Sequence, residues 1–213
     1  MNPTRSRARA LALLPLAAAL LLGGCVLGHT VHPSPAAERA ESQARAEQLF
    51  QRLKPLCGQA FAGRIVADTP RSADDPFGGK ALVMHVRGCE ADTIRIPFHV
   101  GQDRSRTWVF TRHPGGLRFK HDHRHRDGSE DELTMYGGEL KPRGEGERYE
   151  FPADPESRAL FRRLGREVSV PNVWAVEIDD QRFVYELARP GRLFRVEFDL
   201  TRPLPAPPPP WGG

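Results

Sequence analysis

Three histidines alternate along one short segment, at His121, His123 and His125, and acids follow at Asp127, Glu130 and Asp131. An imidazole can move a proton near neutral pH, hold a hydrogen bond or ligate a metal. Alternate residues of a strand share a face, so Leu117, Phe119, His121, His123 and His125 fall together. Arg118, Lys120, Asp122 and Arg124 take the opposite face. Two apolar side chains running into imidazoles describe a pocket wall with a polar mouth. His121 and His123, at i and i+2, could place two ring nitrogens on zinc or another divalent metal, with a third ligand from a neighbouring strand. Three histidines along a single strand span too far to share an ion. The other readings of the segment are a polar rim facing water and a pH-responsive group, since free histidine titrates between about pH 5 and 8.

Such a face needs a sheet to hold it, and the surrounding sequence supplies one. Period-two alternation marks strands at Phe61–Ala67, Ala81–Arg87, Thr93–Val100, Arg106–Arg112 and Leu117–His125, then Leu133–Tyr136 and Arg148–Phe151. Val173–Ile178, Arg182–Leu187 and Leu193–Leu200 close the series. A helix over 36–54 is predicted from Ala46, Leu49, Phe50 and Leu53, and Pro55 stops it. A shorter helix is framed by Asp154 as N-cap, Pro155 in its first turn and Gly165 beyond its end. Tight turns without βαβ spacing predict a mainly β domain. The pattern fits a closed meander barrel or a sandwich, and the expectation is the barrel, because sequential hairpins close most simply: an antiparallel up-and-down barrel, calycin-like in architecture, of about 8–10 strands, with one helix at its start and one before the last three strands. The lipocalin Gly-x-Trp motif does not follow the opening helix.

Alternate loops of a meander lie at one end. That rule gathers the loops 68–79, 101–105 and 126–131 on a single rim, with Asp74, Asp75, Asp103, Arg104, Asp127, Glu130 and Asp131. The candidate ligand-binding set is therefore Asp103, Arg104, His121, His123, His125, Asp127 and Asp131, with His121 and His123 as the metal pair. Cys57 and Cys89 fall at the opposite end, within reach of one another, and are predicted to form a disulfide. Gly137-Gly138 reads as loop flexibility and not as a phosphate cradle, which needs a strand before it and a helix after. Neither Ser105 nor Ser129 sits in a nucleophile elbow.

The N-terminus sets the compartment. Arg5, Arg7 and Arg9 precede an apolar run from Leu11 to Leu22, which leads through Gly23-Gly24 to Cys25. This order resembles the bacterial lipoprotein signal. The resemblance implies cleavage after residue 24, lipid on Cys25 and a cell-envelope address, with Val26 favouring the outer membrane facing the periplasm. Removing residues 1–24 lowers the net charge from +4 to +1, with 28 basic against 27 acidic residues. A near-neutral mature chain lacks the basic footprint of a nucleic-acid binder. With Cys25 assigned to lipid, Cys57 and Cys89 are an even pair, as an oxidising compartment favours. Residues 25–35 form a tether, 36–202 the helix-plus-barrel domain, and 203–213 a Pro-rich tail expected to lack order. The stretch from Thr93 to Gly138, including Ile94-Arg95-Ile96-Pro97-Phe98 and Arg106-Thr107-Trp108, resembles an uncharacterised group of proteobacterial exported proteins, which implies no particular activity.

The functional expectation is a lipid-anchored, non-enzymatic module binding a small ligand or metal at the histidine rim. The alternatives are a metal-assisted hydrolase using the His121–Asp131 cluster, and a structural envelope component that engages a protein partner.

Overall fold

The computed structural model describes residues 34–71, 75–144 and 146–213. The signal segment, Cys25 and the tether up to residue 33 lie outside the described residues, as does Asp74. Among the described residues no helix is long and apolar enough to cross a membrane.

Helix α1 spans Pro35–Leu53. Ser34 caps it through an Oγ that accepts from the Ala37 amide, and Pro35 occupies its first turn, where a missing N–H costs nothing. Its apolar stripe, Ala46, Leu49, Phe50 and Leu53, is fully buried. The strands follow as β1 (Ala60–Thr69), β2 (Leu82–His85), β3 (Gly88–Cys89), β4 (Thr93–Val100), β5 (Asp103–His113), β6 (Gly116–His123), β7 (Tyr136–Glu139) and β8 (Arg148–Pro152). Helix α2 (Pro155–Arg163) precedes β9 (Val173–Ile178), β10 (Arg182–Arg189) and β11 (Arg192–Leu204).

All pairings are antiparallel, and the order β7-β6-β5-β4-β2-β1-β11-β10-β9-β8 is a sequential meander whose ends, β7 and β8, meet at a seam. This is the up-and-down barrel the alternation predicts, nearly closed. Just past the seam the Lys141 amide donates to the Glu150 carbonyl at 2.9 Å. The extra strand, β3, is a two-residue pairing on β4, too short to show in the sequence pattern.

The inward parity carries the core: Ile96 and Phe98 on β4, Trp108 and Phe110 on β5, and Phe194, Val196 and Phe198 on β11. Charged pairs take the outer face, among them Arg64–Glu197 and Arg195–Glu177. One end is closed by α1, where Gln43 Nε2 donates to the Pro114 carbonyl at 2.7 Å. The Cys57–Cys89 disulfide lies at that end, with Cα atoms 6.2 Å apart and a sequence separation of 32. Closing a loop of that length contributes about 3–4 kcal/mol by restricting the unfolded chain.

Three sequence expectations change. Leu117–His125 ends as a strand at His123, because the Thr134 hydroxyl takes the His123 amide at 2.8 Å and the chain turns over 125–129. Strand β7 consequently starts at Tyr136 and includes Gly137-Gly138, the pair read as loop flexibility. The segment 203–213 lies against the barrel. Strand β11 runs on to Leu204 beside β1, the Arg104 guanidinium donates to the Pro209 carbonyl at 2.8 Å, and the Trp211 amide donates to the Arg104 carbonyl at 3.0 Å. Prolines leave carbonyls free to accept even where they donate nothing, which is how this tail is held.

Candidate functional site

The end opposite α1 opens into a cavity of about 200 Å³. Register explains its lining. Strand β6 pairs with β5 so that His121 faces Trp108 and His123 faces Arg106, and β10 pairs with β9 so that Leu187 faces Trp174. All belong to the inward parity of their strands. The walls are aromatic: Trp108 stacks on Tyr185 with centroids 4.5 Å apart, and His121 stacks on Tyr136 at 4.8 Å. Phe77, from the loop after β1, closes one side against Phe194 at 4.6 Å.

The two histidines inside are held as neutral rings. His121 is 3 % exposed. Its Nδ1 sits 3.2 Å from the Tyr136 carbonyl, which can only accept, so Nδ1 carries the proton. Its Nε2 then accepts from the Tyr185 hydroxyl at 3.0 Å. Burial, more than any neighbour, drives the His121 pKa well below the ordinary histidine range. His123 Nε2 meets the Tyr136 hydroxyl at 3.1 Å. Burial first, and the Arg106 charge second, lower its pKa to about 4. The pH-responsive reading therefore moves away from neutrality, because both rings are uncharged at pH 7.

The remaining predicted residues disperse. His125 is exposed in the turn, since the strand has already ended. Asp127 is exposed and accepts from the Ser129 amide and hydroxyl at 2.9 and 2.6 Å. Glu130 pairs with Arg124 at 3.0 Å. Asp131 stays closest to the site: its amide donates to the His123 carbonyl at 3.0 Å while its side chain caps Leu133. Asp103 lies at the rim bound to Arg106 at 2.5 Å, and Arg104 holds the tail. Asp75 caps the Phe77 amide at 2.9 Å. Of the predicted set, only His121 and His123 line the cavity.

A divalent metal does not fit what is present. Among the described residues no group of three His, Cys, Asp or Glu side chains converges as ligands. Both nitrogens of His121 are already engaged, one by a carbonyl that fixes its proton. Of the acids in the metal-assisted hydrolase alternative, Asp127 and Glu130 are bound in the turn and Asp131 accepts from the Leu133 amide.

Sequence reasoning missed the cations. Arg106, Arg189 and Arg192 line the cavity, and among the described residues no carboxylate does. Two have acids behind them: Arg106 has Asp103, and Arg192 has Asp68, whose carboxylate is buried. The signal was in the sequence Arg189-Pro190-Gly191-Arg192. A two-residue Pro-Gly turn, with Gly191 at φ +73°, sets the flanking arginines opposite each other at the inward parity of both strands. Asn172 was missed because it lies outside any alternating run; its Oδ1 accepts from Arg189 at 3.3 Å. Comparison with protein-family models, curated proteins and solved structures finds no match to this chain.

Proposed function

We propose that this protein is a binding module held at the cell envelope by lipid on Cys25, and that its barrel mouth takes one small, flat ligand. The observation that carries the reading is the cavity itself. Aromatic walls, a closed floor and a few fixed polar groups are the ordinary makeup of a small-molecule site. The paired Tyr136 and Tyr185 hydroxyls and two neutral imidazoles would orient the ligand without carrying charge into the apolar interior.

Leu187 lines the cavity beside Trp174 and is partly buried. Leu187→Trp is expected to fill the space while the register keeps the strand in place. Emission from Trp108 and Trp174 should respond to members of a panel of small aromatic acids, amides and alcohols. The response should fall at least tenfold in the filled variant, with its far-ultraviolet dichroism unchanged. A panel that alters neither emission nor melting temperature sinks the binding reading. The anchor is tested separately. Cys25→Ser is expected to shift the protein from the membrane to the soluble envelope fraction, and unchanged fractionation would remove the lipid from the proposal.

A further inference from the structure

Charge around the cavity does not balance. Three guanidiniums line it, and an arginine side chain stays protonated at neutral pH. Asp103 answers Arg106 and Asp68 answers Arg192. His121 and His123 add nothing, being neutral. Arg189 has no carboxylate partner among the described residues; its one side-chain hydrogen bond there is to the neutral Asn172 amide. Among the described residues, the guanidiniums that line the cavity therefore outnumber their carboxylate partners by one.

The position of that charge is unfavourable for the fold alone. Arg189 pairs directly with Arg192 across the β10–β11 turn, and like charges opposite each other destabilise a hairpin. Both side chains are partly buried, where water screens their repulsion less than at an open surface. A local conflict of this kind, kept at the edge of an aromatic cavity, marks a place completed by something outside the chain.

Resting on the small-ligand reading above, we infer that the ligand is an aromatic monocarboxylate, its ring in the cavity and its carboxylate on Arg189 and Arg192. The single excess charge calls for a monoanion. The planar guanidinium fork matches a carboxylate in two parallel hydrogen bonds. Arg192 has donors to spare, since the hydrogen bonds it makes to Asp68, Pro70 and Leu193 all run through Nη1. The volume suits one ring: an apolar cavity of roughly 150 Å³ holds benzene, and this one is about 200 Å³. Stacked indole and phenol faces around it favour a flat body over a branched one.

The test is calorimetric titration of the full chain with benzoate and with its neutral analogue benzamide, at pH 7. Benzoate is expected to bind at least tenfold more tightly than benzamide. Its advantage should shrink as salt rises, and Arg189→Met should erase it, bringing the two probes within twofold of each other. Arg189→Lys should recover part of it, since charge returns without the fork. Equal binding of the two probes overturns the carboxylate inference and leaves the cavity reading standing. Binding of neither probe overturns both. Should Arg189→Met fail to fold, the benzoate-to-benzamide ratio and its salt dependence in the unaltered protein decide the matter alone.

Discussion

Gly138→Ala is expected to be among the most damaging single substitutions in this protein, lowering stability on the order of 4–5 kcal/mol, at the exceptional end for a point change. The reason is the seam. Gly138 lies in β7 opposite Phe119 of β6, and a Cβ built on it would sit 1.8 Å from the Pro152 carbonyl oxygen and 3.5 Å from the Asp154 amide. Those are backbone atoms at the junction of β8 and α2, with no flexible side chain to swing aside. The junction is itself pinned: the Asp154 amide donates to the Gly137 carbonyl at 2.9 Å, and the Ser157 hydroxyl both accepts from the Gly137 amide and donates to its carbonyl. Lys120 adds an ion pair to Asp154 at 2.6 Å with both groups largely buried. A methyl group must therefore push β8 and α2 away from β7 as one body, opening the barrel where no ladder of strand hydrogen bonds joins its ends. Urea unfolding followed by dichroism measures the effect. A loss under about 1 kcal/mol would mean the seam yields, and that its close approach does not hold the barrel shut.

That glycine pair also shows where sequence reading stops. Alternation made the barrel legible, because inward and outward residues differ sharply along β4, β6 and β11. Cap chemistry at Asp154 and Gly165 framed α2 for the same reason: local rules and tertiary structure agree there. The half of the site lying on β6 was legible through the Leu117–His123 face. The other half was not, because Arg106, Arg189 and Arg192 look like any surface cation until register turns them inward. Gly137-Gly138 misled in the opposite direction. A pair that reads as slack is a pair without side chains, and only the path of a distant segment, Pro152 to Asp154, reveals why. His125 was lost to a contact no periodicity encodes, the Thr134 hydroxyl on the His123 amide.

Lowering the pH from about 6.5 to about 4.5 is expected to remove much of the protein's stability, and the histidines are the cause. His123 and His99 each fall from an ordinary 6.5 to about 4 in the fold, and His121 and His85 are lowered as well. For His99 the causes are burial, then His85 and Arg104, against the opposing pull of Asp103. For His123 they are burial and Arg106, opposed by Asp131, Asp103 and Asp122. Between about pH 4 and 6.5 the unfolded chain therefore binds protons that the native state refuses. Stability must rise with pH across that window and be fully present only above it. One group moving from 6.5 to about 4 corresponds to roughly 3 kcal/mol, so two account for several, against a total of about 5–15 for a typical domain. Carboxylates do not imitate this slope. Asp103, Asp154 and Glu177 are held below their ordinary values, so their loss begins only near and below about pH 4.5. Denaturant midpoints taken at half-unit steps from pH 7.5 to 4.5 measure the trend, and His99→Phe with His123→Gln should flatten it. A midpoint constant between pH 7 and 5 would show that these rings already take protons in the fold. The neutral imidazoles assigned to the cavity, and the excess of positive charge counted around Arg189, would then both have to be redrawn.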